Sequence, residues 1–249
     1  MKALKLSILA AVIVCGISTV KAQTADEIME KHQKAIGSVE AWNNIKTVKM
    51  EGTMSIQGND INITQTMALG KAMRTDLNAM GMNFYQIVTK TKGWMYMPGM
   101  EKVDTMKPEM LKAFQAQLEL KGKELLSYKE NGTKAEYLGK DTLNKVVCYK
   151  LKFTDKDGNE STSFFDATTY YLMRTESKVK QKDEEEQEVA IGYDNYKKMD
   201  EGVVMPMTIT PMGNEINFKS IELNKPVDDK IFIPGDATTE SGAAAKQKN

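Results

Sequence analysis

Apolar and polar residues alternate along most of the chain between residues 47 and 224, and this pattern constrains the fold more than any other feature. In residues 48–56 and again in residues 61–69, nearly every second position is apolar, as in a strand with one buried face. Pro206 interrupts a similar run at residues 203–210, and it predicts an edge strand or a bulge because proline cannot donate to a sheet ladder. The runs follow one another across short turns, without the helical crossovers of a parallel sheet. We therefore predict about ten or eleven antiparallel strands.

Two helical regions interrupt the strands. Thr24 and Glu27 have the spacing of a capping box, and the helix that they begin is predicted to stop at Gly37. A short helical extension follows at residues 38–44. Lys107-Pro108 begins a second helix, which we predict over residues 107–121 with Gly122 at its end. An antiparallel sheet with one apolar face needs a cover. The expected fold is mainly β (α+β): a curved, open antiparallel half-barrel with two or three helices over its concave face.

The N-terminus has the features of a cleavable signal peptide. Lys2 and Lys5 precede an apolar run at residues 6–20, and Ala22 ends a plausible cleavage site. The run is too short for a comfortable membrane span. We therefore expect export to the periplasm as a soluble protein. The expected organisation is a signal peptide at 1–22, one half-barrel domain at 23–234 and a disordered polar tail at 235–249.

Composition excludes several functional classes. The chain has 34 basic and 34 acidic residues, which does not favour binding to nucleic acid. Removal of the signal peptide leaves Cys148 as the one cysteine, so no intramolecular disulfide can form. His32 is the sole histidine, and it lacks the partners needed for a zinc site or a catalytic triad. We expect His32 to be structural, and we expect neither enzymatic activity, nor a cofactor, nor a bound metal.

Residues 80–110 are unusually rich in methionine and also contain Trp94. Methionine is flexible and polarisable, so it suits either an irregular core or an adaptable apolar binding surface. Thioethers can also bind Cu(I), but no histidine lies near these methionines in sequence. We predict that this hairpin and the helix after it line or cover an apolar cavity. The predicted ligand contacts are Met80, Met82, Phe84, Trp94, Tyr96, Met97, Met110, Leu111, Phe114 and Leu118.

A set of short motifs in a fixed order also resembles a known family. Each motif is weak by itself, but together they extend over most of residues 24–233. The motifs are residues 24–37, 45–52, 92–96, 149–152, 164–166, 193–196, 202–206 and 224–232. With these motifs the chain resembles outer-membrane lipoprotein-sorting proteins related to the periplasmic carrier LolA.

This resemblance implies an open β half-barrel with helices over its concave side. It also implies a periplasmic chaperone that shields the acyl chains of lipids or lipoproteins on their way to the outer membrane. Partners of this family are an inner-membrane release complex and an outer-membrane acceptor, and the carrier is expected to be a monomer. The alternative is a non-catalytic envelope scaffold or interaction module with the same fold and a filled core.

Overall fold

The structure is a computed structural model, and it describes residues 24–56, 59–100, 102–115, 117–179 and 187–235. The predicted signal peptide at 1–22 lies outside the described residues. So does the predicted tail, apart from Gly235.

Within the described residues, thirteen antiparallel strands form one sheet. Each pairs with its neighbours mostly through direct hairpin connections, as the alternating pattern predicts. The two-residue strand β6 contributes to the excess over the predicted ten or eleven. The strands are β1 Thr47–Ile56, β2 Asn59–Ala68, β3 Ala72–Ala79, β4 Met82–Thr89, β5 Gly93–Tyr96, β6 Asp104–Thr105, β7 Lys134–Leu143, β8 Val146–Thr154, β9 Glu160–Asp166, β10 Leu172–Val179, β11 Gln187–Lys198, β12 Val204–Pro211 and β13 Ile216–Leu223.

The sheet is open, because its edge strands β6 and β7 do not pair with each other. From β1 the chain meanders outward to β6 at one edge. It then passes to β7 at the opposite edge and meanders back until β13 pairs with β1. The connection between β6 and β7 must therefore run from one edge of the sheet to the other. This architecture confirms the predicted open antiparallel fold with helical covers.

Four helices are present among the described residues: α1 Ala25–Ile36, α2 Val39–Asn43, α3 Pro108–Gln115 and α4 Lys121–Leu126. The predicted capping box at the start of α1 is confirmed. The Glu27 amide donates to Thr24 Oγ1 and the Thr24 amide donates to Glu27 Oε2, each at 3.2 Å. Gly37 ends α1 as predicted. Its φ of +114° and its closeness to the Gly202 carbonyl leave no room for a side chain.

The predicted extent of the second helix is wrong. Residues 107–121 do not form one helix, because α3 ends at Gln115 and the chain then turns before α4. The turn is held to the sheet by the Gly70 amide, which donates to the Leu118 carbonyl at 2.9 Å. Gly122 lies inside α4 and does not end a helix. A Cβ atom at this position would lie 2.8 Å from Cη2 of Trp42, so glycine is needed for α4 to approach the indole ring.

The prediction for Pro206 is also wrong. Strand β12 lies inside the sheet between β11 and β13, and Pro206 pairs in register with Tyr196 of β11. The ladder between β12 and β13 is short, however, and contains only Thr208 and Ile209 of β12. The proline is tolerated because its part of β12 is not paired with β13.

Apolar side chains pack on both faces of the sheet. On β4, Val88 belongs to the core under the helices, whereas Ile87 belongs to a separate cluster. We call these the helix-covered face and the opposite face. The opposite face is covered by a short 3-10 helix, Asp229–Phe232, whose Phe232 packs into the cluster. A third cluster joins α1 to β8 and β9.

Candidate functional site

A cavity of about 400 Å³ lies between the helix-covered face and the helices. Its walls come from α1, α2, α4, the turn before α4, the central strands β1 and β2, and strands β10 to β13. Such a volume lies within the range of sites that hold small ligands. Pro206 lines the cavity, and it lies in the part of β12 that does not pair with β13. The cavity therefore borders the place where the ladder between β12 and β13 is interrupted.

The lining is mostly apolar. Most lining side chains are aliphatic, thioether or aromatic, and they come from elements far apart in sequence. The apolar lining residues are Ile36, Trp42, Met50, Ile63, Met67, Leu120, Gly122, Leu125, Leu172, Ile191, Val204, Met205, Pro206, Ile209, Pro211, Ile216 and Phe218. Two tyrosines, Tyr193 and Tyr196, add aromatic surface with a polar end.

The hydroxyl groups of both tyrosines form hydrogen bonds with neighbouring protein groups. Tyr196 donates from Oη to the Leu172 carbonyl at 2.6 Å, and its ring stacks on Tyr171 with centroids 4.5 Å apart. Burial raises the pKa of Tyr196 well above its usual range and raises the pKa of Tyr193 to about 12. A hydrogen bond with Thr175 partly opposes the shift in the pKa of Tyr193. Both tyrosines are therefore neutral at physiological pH, and they do not introduce charge into the cavity.

Five further polar side chains line the cavity: His32, Gln65, Gln117, Glu119 and Glu124. Gln65 donates from Nε2 to Thr75 Oγ1 and approaches the Met73 sulfur, each at 3.2 Å. Glu119 forms an ion pair with Lys123 at 3.3 Å. The two carboxylates belong to α4 and the turn before it, so the negative charge of the lining is confined to the cover.

His32 is the most deeply buried polar residue of this lining, with 1% of its surface exposed. Its Nδ1 atom lies 2.7 Å from the Tyr170 carbonyl oxygen, and its ring packs edge-to-face on Phe165 with centroids 4.8 Å apart. Burial lowers the pKa of His32 to about 4, although the hydrogen bond with Tyr170 opposes that shift. Its Nε2 atom has no hydrogen-bond partner among the described residues. An unsatisfied buried group of this kind costs about 1–3 kcal/mol.

The predicted ligand contacts lie elsewhere, and none of the ten lines this cavity. Met80, Met82 and Met97 are exposed at or beside strand ends, and Met80 is 78% exposed at a hairpin tip with φ +51°. Met110 is exposed on α3. Trp94 and Tyr96 pack on the opposite face of the sheet, because strand alternation points them away from the helices.

The four remaining predicted residues belong to α3, to the turn after it and to strand β4. Leu111, Phe114 and Leu118 pack in the core of the helix-covered face, and Phe84 is half-buried on β4. Leu118 lies between Gln117 and Glu119, which both line the cavity. The role of all ten residues as ligand contacts stays a prediction.

Sequence reasoning missed the lining residues of β1, β2 and β12. Met50, Met67 and Met205 lie at buried positions of ordinary alternating strands, which carry no local sign of a cavity. It also treated His32 as structural only. The useful signal was a single histidine on the apolar side of an amphipathic helix, but its unpartnered atom depends on contacts with residues more than a hundred positions away.

A second cavity, of about 590 Å³, adjoins the first at Glu124 and Leu125 of α4. Its lining is more polar and includes Asp155, Lys156 and Asn159 of the turn between β8 and β9.

No group of three or more His, Cys, Asp or Glu side chains within the described ranges could hold a metal ion. No helix in the described part of the chain is long and apolar enough to cross a membrane.

Comparison of this fold with solved structures gives several similar proteins. A DUF1329 family protein from Desulfovibrio piger aligns with a TM-score of 0.55 and 11% identity, over 85% of this chain and 98% of that one. An outer membrane lipoprotein-sorting protein domain from Vibrio parahaemolyticus, described as putative, aligns with a TM-score of 0.47 and 13% identity, over 83% and 95% of the two chains. A LolA superfamily protein from Nitrosomonas europaea aligns with a TM-score of 0.49 and 12% identity, over 86% and 99%.

No protein-family model matches the sequence, and no curated protein matches it. At these identities a structural likeness shows the fold alone, and the Desulfovibrio piger alignment is the one that carries it. The chain shares the fold of the Desulfovibrio piger protein, and its sheet is open and antiparallel as its sequence predicts.

Proposed function

We propose that this protein binds an acyl chain of a lipid or lipoprotein in the cavity under α1, α2 and α4, and carries it within the cell envelope. The observation that carries the proposal is the cavity of about 400 Å³ with a mostly apolar lining. Each methylene group removed from water contributes about 0.8 kcal/mol, so an alkyl chain can bind without strong polar recognition. The sequence motifs of lipoprotein-sorting proteins and the predicted signal peptide support a periplasmic site of action.

The proposed activity is non-catalytic. The cavity contains one histidine, whose side chain is held by Tyr170 and Phe165, and it lacks a nucleophile beside that histidine. Loading at the inner membrane and delivery to an outer-membrane acceptor belong to the same proposal. The short α4 and the turn before it form part of the cover, so a ligand could enter by a small displacement of this segment.

Displacement of a fluorescent fatty-acyl probe tests the proposal. We expect the purified protein to bind the probe, and we expect mass spectrometry of gently purified protein to find a co-purifying lipid or acylated peptide. The variant Ile209→Trp fills the cavity and should weaken probe binding by about tenfold or more, since overpacking a filled site is unfavourable. Leu138→Trp on exposed β7 is the matched control and should bind as the unchanged protein does.

Failure of the folded protein to bind any acyl probe would contradict the proposal. That result would favour the alternative of an envelope scaffold. Equal affinities of the Ile209→Trp and Leu138→Trp variants would instead move the binding site away from this cavity.

A further inference from the structure

One polar atom of a residue that lines the cavity is without a partner among the described residues. Nε2 of His32 is buried and has no hydrogen bond among the described residues, although His32 lines the cavity. Buried polar groups in native proteins are nearly always hydrogen-bonded, so an unpaired one on a residue that lines a cavity calls for a ligand group or a water molecule beside it. The chemistry of this atom therefore restricts what the cavity binds.

The other ring nitrogen determines which kind of group can satisfy Nε2. Nδ1 lies 2.7 Å from the carbonyl oxygen of Tyr170. A carbonyl oxygen can only accept, so Nδ1 must carry a hydrogen and donate it. Burial keeps the ring neutral at physiological pH by lowering its pKa to about 4. In this neutral tautomer Nε2 has a lone pair and no hydrogen, so it is an acceptor.

The structure holds the Tyr170 carbonyl in place for this role. Tyr170 has a φ of +60° in the turn between β9 and β10, and its amide donates to the Asp166 carbonyl at 2.9 Å. The Asp166 carboxylate accepts from the amides of Thr168 and Thr169 in the same turn. Such a fixed turn prevents the carbonyl from leaving Nδ1, and the edge-to-face contact with Phe165 restricts rotation of the imidazole ring.

We propose that the ligand of this cavity carries a hydrogen-bond donor, a hydroxyl or an amide N–H, which donates to Nε2 of His32. This inference rests on the proposed acyl-binding function and names the chemical class of the ligand. The class is an alkyl chain that bears a hydroxyl group or ends in an amide. An ester has only acceptors, and so does an ionised fatty acid.

Four compounds with the same alkyl chain separate these classes: dodecanol, dodecanamide, methyl dodecanoate and dodecanoate. Each competes with the fluorescent acyl probe for the protein. We expect the alcohol and the amide to bind about fivefold or more tightly than the neutral ester, which corresponds to one hydrogen bond. The alcohol–ester contrast excludes charge as the cause, since both compounds are neutral. The alcohol–amide contrast tells which donor the site prefers.

Two variants test whether His32 causes the preference. His32→Asn can keep the donor to Tyr170 but lacks an acceptor at the position of Nε2, so it should bind alcohol and ester equally. His32→Gln places a side-chain oxygen near that position and should retain part of the preference. A thermal melt of each variant reports whether it folds.

Nitrogen NMR of the unsubstituted protein gives a measurement that does not depend on variants. His32 is the sole histidine of the chain, so an untagged protein shows one imidazole. Binding of dodecanol or dodecanamide should shift the Nε2 resonance, whereas binding of methyl dodecanoate should leave it unchanged.

The outcomes distinguish the two proposals. If all four compounds bind but show no donor preference and no Nε2 shift, the donor proposal fails and acyl binding stands. This is also the result expected if a permanently bound water molecule satisfies Nε2. If none of the compounds displaces the probe, or the probe does not bind, the acyl-binding function fails and the donor proposal fails with it.

Discussion

The two faces of the sheet are both apolar, but their covers differ: Phe232 of a 3-10 helix packs into the cluster of the opposite face, whereas a cavity lies under the helices of the other face. On the opposite face, Phe232 of the 3-10 helix packs directly among Tyr85, Ile87 and Tyr96. Arg74 lies over the Tyr85 ring at 4.5 Å and donates to the Ile231 carbonyl at 3.2 Å, which fixes this cover to β3. On the helix-covered face, α1, α2 and α4 leave about 400 Å³ unfilled.

The difference lies in how each cover is connected. The C-terminal segment follows β13 and can place single side chains into gaps between strands. The helices α3 and α4 belong to the connection that must run from β6 at one edge to β7 at the other. In this connection α3 packs against the core, whereas α4 and the turn before it line the cavity. Alternation of residues determines which side chains face inward, whereas the cover determines whether the interior is filled.

The largest expected effect is a loss of stability on the opposite face. Phe232→Ala should lower the free energy of unfolding by about 4 kcal/mol, because it removes a buried aromatic ring from a packed cluster. Urea unfolding measures this loss. Binding of the acyl probe by the folded variant should not change, since Phe232 is on the other face from the cavity. Loss of probe binding in the folded variant would mean that the two faces are not independent.

The next effect is a pH dependence that originates on the helix-covered face. Burial lowers the pKa of His32 to about 4, from a usual value of about 6.5. The unfolded chain therefore takes up a proton between these two values, and the folded protein does not. Stability is fully present above pH 6.5 and falls by about 3 kcal/mol as the pH decreases to 4. Urea unfolding at a series of pH values measures the slope.

The His32→Asn variant is the control for this slope. Other titratable or charged groups lie near the ring or in and beside the cavity wall: Lys31, Glu119, Lys123, Glu124, Tyr170, Tyr193 and Tyr196. The variant retains all of these, so the difference between the two pH profiles isolates His32. Parallel profiles of the variant and the unsubstituted protein between pH 6.5 and 4 would contradict a buried neutral histidine.

Local patterns were sufficient to predict much of the fold. The alternation in residues 48–56 corresponds to β1, and the spacing of Thr24 and Glu27 identifies the start of α1. The hairpin around Lys90–Gly93 is also present, as β4 and β5. These features depend on neighbours in sequence, so a local pattern contains the necessary information.

The cavity depends on contacts that no local pattern contains. Its walls meet because β13 returns to pair with β1, some 170 positions away in the chain. The buried imidazole of His32 is held by the carbonyl of Tyr170, which lies 138 positions away in the chain. Trp94 illustrates a further limit: strands β4 and β5 carry apolar side chains on both faces, so alternation alone does not tell which face lies under the helices.

A smaller effect is expected where α4 meets Trp42. Alanine is preferred over glycine in a helix by about 1 kcal/mol, but a Cβ atom at position 122 would lie 2.8 Å from the buried indole. We expect the clash to dominate, so Gly122→Ala should destabilise the protein by about 2 kcal/mol. The measurement is urea unfolding, with the double variant Gly122→Ala, Trp42→Leu as the control. If the smaller side chain at position 42 does not relieve the loss, the contact is not its cause.

The smallest expected effect is a difference between the stability losses of two variants, at methionines that pair across β2 and β3. Met67 and Met73 are paired in register and both are buried, but only Met67 lines the cavity. Met73→Ala should cost about 3 kcal/mol, since it opens a void in packed surroundings and removes the sulfur that Gln65 approaches. Met67 already borders empty space and has fewer contacts to lose, so Met67→Ala should cost about 1 kcal/mol less. Urea unfolding measures both losses, and probe binding should change for Met67→Ala alone. Equal losses would mean that the cavity wall at Met67 is as tightly packed as the core, and that the helix-covered face is filled like the opposite one.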